Sequence, residues 1–70
     1  MSDSLHIFVN DEQRTIDAGT TVATLIASYA LEPRRVAVEV NRDLVPRKQY
    51  ADAVLHDGDR VEIVTLVGGG

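Results

Sequence analysis

An α+β fold, with one amphipathic helix crossing a mixed β-sheet of four to five strands, is the architecture this sequence predicts. Three observations predict it: alternating strand-like segments open the chain, a single stretch of helical periodicity follows, and the remainder returns to alternation and turn chemistry. A hairpin followed by one helix and further strands folds most simply by laying the helix across one face of a single sheet. Seventy residues make one domain, near the lower limit at which an unassisted hydrophobic core suffices. The expected domain is 1–67, with 1–4 frayed and 68–70 forming a glycine tail.

In the first strand Leu5, Ile7 and Val9 alternate with His6 and Phe8, the period of a half-buried strand. Asn10-Asp11-Glu12 reads as a hairpin turn into a second strand around Gln13 to Asp17, with Ile16 inward. After the Asp17-Ala18-Gly19 break, Thr20 or Thr21 caps a helix whose apolar residues Val22, Leu25, Ile26 and Tyr29 fall at i, i+3, i+4 and i+7. Pro33 marks that helix as finished before it.

Alternation resumes in Val36-Ala37-Val38-Glu39-Val40, and Asn41-Arg42-Asp43 supplies a turn before Leu44-Val45-Pro46. Pro46 opposes a long central strand, since it offers no N–H to a ladder. Arg47 to Ala53 reads as a loop with one helical turn, followed by Val54-Leu55 and the turn Asp57-Gly58-Asp59. The last strand is expected over Arg60 to Val67, with Val61, Ile63 and Thr65 inward and Glu62, Val64 and Leu66 on the opposite face.

Composition excludes several functional classes. The formal charge of −4 argues against binding a phosphate backbone, and no apolar run approaches the length of a membrane span. No secretory signal is expected from the polar Met1-Ser2-Asp3-Ser4 start. Without cysteine the chain has no disulfide, no thiolate metal site and no thiol nucleophile, which fits a reducing compartment. The expectation is a cytoplasmic protein that binds neither nucleic acid nor membrane.

Conventional catalytic candidates fail one by one. His6 and His56 have no Cys or Ser partner in sequence, and both fall where alternation or a turn exposes them. Asp57 and Asp59 flank Gly58, yet the further spaced ligands of a calcium loop are missing, so a tight turn is the better reading. Arg34-Arg35 and Arg47-Lys48 read as solvated surface. No catalytic residue and no metal site is expected within this chain.

The distinctive feature is the end, where Thr65-Leu66-Val67 runs into Gly68-Gly69-Gly70. Three residues without side chains reach roughly 10 Å when extended, and glycine tolerates close approaches that a Cβ forbids. The Gly70 carboxylate could thus be threaded through a narrow channel into another protein's active site. Frayed tails also look like this, but here a strongly β-forming segment aims the glycines. Beside them, Val64, Leu66 and Phe8 form a candidate docking surface if the first and last strands are neighbours.

At this point the chain resembles a known family. The run Val36-Ala37-Val38-Glu39-Val40-Asn41, then Leu44-Val45-Pro46-Arg47, then His56-Asp57-Gly58-Asp59-Arg60-Val61-Glu62-Ile63-Val64 ending in Val67-Gly68-Gly69-Gly70, is similar to the ThiS family, the ubiquitin-like sulfur carriers of thiamine biosynthesis. The resemblance covers nearly everything after Ser4. It implies a β-grasp fold with the first and last strands side by side in the sheet centre.

It also implies a role for Gly70 as the sulfur-carrying terminus, with Gly68 and Gly69 entering partner sites. A ubiquitin-activating-like enzyme would use ATP and magnesium to adenylate the Gly70 carboxylate. A sulfur donor such as a cysteine desulfurase would supply persulfide sulfur, and a thiazole synthase would accept it from the thiocarboxylate. The chain itself lacks a phosphate loop with its Lys, so no cofactor is expected to bind to it. The alternatives are the small subunit of molybdopterin synthase, a protein-conjugating modifier, and a plain interaction module that leaves Gly70 inert.

Overall fold

A computed structural model of the protein describes residues 3–66. The expectations for 1–2 and for the Gly68-Gly69-Gly70 tail, and the last residue of the expected final strand, Val67, lie outside the described residues. Five strands form one sheet: β1 (Ser4–Val9), β2 (Glu12–Asp17), β3 (Val36–Val40), β4 (Asp43–Val45) and β5 (Arg60–Thr65). Their spatial order is β2-β1-β5-β3-β4, which puts the first and last strands together in the centre. β1 runs parallel to β5, while the β1–β2, β3–β4 and β3–β5 pairs are antiparallel.

Both hairpins close through two residues at positive φ: Asn10 (49°) with Asp11 (70°), and Asn41 (52°) with Arg42 (72°). Two successive left-handed residues match the twist of the flanking strands, as in a type I′ turn. Each asparagine also reaches across to β5. The Asn10 amide accepts from Ile63 N–H at 2.8 Å and donates to Ile63 C=O at 3.1 Å, continuing the ladder where β1 has turned away. Asn41 Oδ1 accepts from Arg60 N–H at 3.0 Å.

The helix α1 (Val22–Ser28) starts at Thr21, whose hydroxyl accepts from Thr24 N–H while Thr24 Oγ1 accepts from Thr21 N–H. This reciprocal cap satisfies two of the N–H groups a helix start leaves unpaired. Val22, Leu25 and Ile26 face the sheet and join Ile7, Val9, Val36, Val38, Val61 and Ile63 in the core. Tyr29, expected on the buried stripe, is instead the C-cap and stays 36% exposed, because the chain turns there before a further inward position is reached.

Beyond β4 the chain makes a single 3₁₀ turn over Arg47–Gln49 and returns beneath the helix start. Tyr50 and Leu55 are buried there, and Val22 N–H donates to Ala53 C=O while Leu55 N–H donates to Thr20 C=O. β5 ends at Thr65, which lies opposite buried Val36 and so is on the helix side as expected, although it is exposed there.

Candidate functional site

Because β5 is flanked by β1 and β3, its outward-facing residues lie at the centre of the sheet face that the helix leaves open. Register defines the rows of that face, since directly opposed residues project to the same side. Arg60 lies beside Phe8, Glu62 beside Glu39 and then Leu44, and Val64 beside Ala37. Val64 is 55% exposed, Leu66 46% and Leu44 67%. Val64 and Leu66, expected beside the tail, are therefore presented to solvent, with Leu44 added to them and half-buried Ala37 beside Val64.

Phe8 lies on this face but apart from Val64 and Leu66. It is half-buried, the Arg60 guanidinium stands 4.8 Å from its ring centroid, and the Glu62 row separates it from Val64. A groove of about 380 Å³ opens beside it between the two hairpin turns, lined by Asp11, Arg42 and Arg60 among others.

Leu66 lies just past the end of β5, yet its N–H donates to Arg35 C=O at 2.7 Å. The backbone is thus held up to the last described residue while the Leu66 side chain stays free. Gly68, Gly69 and Gly70 lie outside the described residues.

The Asp57-Gly58-Asp59 turn has a structural job. Gly58 sits at φ +86°, and its N–H donates to His6 C=O at 2.7 Å. Asp57 Oδ1 accepts from His6 N–H at 2.7 Å, pinning the turn to β1. Asp59 is 8% exposed, with its carboxylate accepting from His56 N–H and from the Asn41 amide. Both histidines stand largely in solvent, their imidazoles about 4 Å from Asp57 and Asp59, at 4.0 Å for His6 and 3.9 Å for His56. Among the described residues no group of three or more His, Cys, Asp or Glu is placed to hold a metal, and no helix is long and apolar enough to cross a membrane.

Residues missed by sequence reasoning are Glu39 and Glu62, which stand directly opposite one another on the open face. Only the β3–β5 register brings them together, and no local signal in either strand announces it.

The arrangement is a five-stranded mixed sheet carrying one helix, its central strand leading into three glycines, and residues 7–70 match the model of the ThiS family. The chain belongs to the ThiS family. The sulfur carrier protein ThiS of Bacillus subtilis is 44% identical over 54 residues, covering 77% of this chain and 80% of that one. A thiazole synthase of Paramagnetospirillum magneticum is 39% identical over 66 residues, covering 94% of this chain; the chain spans 20% of that relative's length. The crystal structure of the thiamine biosynthesis protein ThiS from Geobacter metallireducens superposes with a TM-score of 0.79 at 28% identity, covering 94% of this chain and all of the other. The β-grasp expectation is borne out by that likeness and by the central β1–β5 pair.

Proposed function

We propose that this ThiS-family chain carries sulfur as a thiocarboxylate on Gly70 and delivers it for the thiazole of thiamine. A carboxylate is a poor electrophile, so a partner enzyme first joins it to the α-phosphate of ATP, releasing pyrophosphate and leaving an acyl adenylate. Magnesium and ATP belong to that partner. A persulfide from a desulfurase-type donor attacks the acyl carbon and displaces AMP. A thiol then cleaves the resulting S–S bond, leaving sulfur on the Gly70 carbonyl and a disulfide behind. Gly68 and Gly69 let the terminus enter the partner's channel, while Val64 and Leu66, with Phe8 farther along the face, supply docking contacts. The chain acts as a carried cosubstrate.

The observation that carries this reading is that the match to the sulfur-carrier family runs through Gly70. The relative named thiazole synthase supports thiazole formation over the molybdopterin alternative.

The test is a single-turnover reaction with purified adenylating enzyme, ATP, magnesium and a persulfide donor, followed by intact-mass measurement. The full chain should gain the mass difference of sulfur replacing one oxygen. Deleting Gly70 draws the carboxylate back by roughly 3.5 Å, and misplacement on that scale should lower the rate by about 10²-fold or more. Thiocarboxylate formation at the full rate by the deletion variant would overturn the proposal.

A further inference from the structure

On the open face two like charges stand opposed without an ion pair to any described residue. Glu39 of β3 and Glu62 of β5 are directly opposed in an antiparallel pair, so their side chains leave the same face about 5 Å apart at Cβ. Like charges so placed oppose sheet pairing. Among the described residues, no Arg, Lys or His nitrogen lies within 4.0 Å of either carboxylate. The nearest cation along β5, Arg60, is turned toward the Phe8 ring at 4.8 Å and toward Asp11 at 3.9 Å.

On one side, Glu62 shares a groove with Phe8, Arg42 and Arg60; on the other side, toward the end of β5, the pair's neighbours are apolar. Leu44 continues its row beyond Glu39, and Val64 and Ala37 form the next row. Two carboxylates, repelling each other and unbonded to any described side chain, thus stand beside exposed aliphatic groups at the centre of the face.

We infer that Glu39 and Glu62 together form the recognition point for an arginine on the adenylating partner, seated among Leu44, Ala37 and Val64. This rests on the carrier reading above. A guanidinium suits the place better than an ammonium for two reasons. Its five N–H donors lie in a planar fork that can serve two adjacent carboxylates at once, and its weaker hydration lets it enter apolar surroundings at smaller desolvation cost. The partner's charge relieves the Glu39–Glu62 repulsion, so the interaction is stronger in the complex than either carboxylate would give alone. A partner lacking a cation at this point would bury two like charges unpaired, which excludes wrong partners.

The experiment compares the full chain with the E39Q/E62Q variant, which keeps shape and removes both charges, and with D3N/D52N, which removes two charges elsewhere on the surface. Binding to the purified adenylating enzyme is measured by calorimetry at about 0.05 M and about 0.3 M salt, concentrations that bracket a substantial change in screening. E39Q/E62Q should bind about 10-fold or more weakly at low salt, with a flattened salt dependence, while D3N/D52N should track the parent chain. Thermal melting should find E39Q/E62Q at least as stable as the parent, which separates lost recognition from lost folding. Equal affinity and salt dependence for E39Q/E62Q and the parent would overturn the inference, as would a lower melting temperature for E39Q/E62Q. If the parent chain itself failed to bind the adenylating enzyme, the carrier reading would fall and this inference with it.

Discussion

Asn10 and Asn41 occupy equivalent posts at the two hairpin turns, each at positive φ and each extending its amide to the backbone of β5. Asparagine is among the non-glycine residues that best tolerate the left-handed region, so one residue type serves both the turn and the clasp. Gly58 serves a third turn at φ +86°, and an added Cβ there would meet no atom within 4 Å. Any penalty for substitution is therefore backbone strain alone. Gly58→Val should destabilise the fold by about 1–2 kcal/mol, lowering the melting temperature by about 4–16 °C for a domain of this size, while Gly58→Asn should lose distinctly less. An unchanged melting temperature for the valine variant would mean that the turn does not hold glycine's conformation. The turn's chemistry was legible in Asp57-Gly58-Asp59, but its anchoring to His6, 51 positions away, was not.

Among the elements, α1 divides sharply into a legible and an illegible end. The Thr20-Thr21 pair and the spacing of Val22, Leu25 and Ile26 announced the start and the buried stripe, and of the two threonines it is Thr21 that caps the helix. The other end closes through Ala30 at φ 58°, with Ala30 N–H donating to Ala27 C=O and Leu31 N–H to Ile26 C=O. These two bonds make a Schellman closure, which ordinarily favours glycine at the left-handed position. Alanine gives no sequence signal of such a conformation, so the helix read as if it continued through Tyr29 to the neighbourhood of Pro33. Its Cβ is strained there, whereas glycine would relieve the strain at some loss of unfolded-state restraint. Ala30→Gly should thus stabilise the protein by about 0.5–1 kcal/mol, read as a shift of the denaturation midpoint with unchanged slope. Destabilisation would assign Ala30 a packing role that outweighs its backbone cost.

At the level of the whole molecule, placing β5 centrally means that the residues preceding the glycines are held on both sides until β1 turns at Asn10, and on the β3 side up to Leu66. Alternation alone identified Val61 and Ile63 as inward and Val64 and Leu66 as outward. The rows they form with Ala37, Glu39 and Leu44 depend on register between distant strands, which periodicity within one strand does not encode. This separation of backbone from side chain makes Leu66 the cleanest probe of docking. Its N–H bond to Arg35 survives any side-chain change, and its side chain is 46% exposed. Leu66→Asp should consequently leave the melting temperature within the small range expected of a surface substitution, about 0.5 kcal/mol in stability. It should weaken binding to the adenylating enzyme by at least about 10-fold, because an apolar contact beside the tail offsets part of the roughly 3–6 kcal/mol needed to order three residues. Calorimetry finding the parent's affinity in a folded Leu66→Asp chain would remove Leu66 from the docking surface and shift attention to the Glu39–Glu62 row.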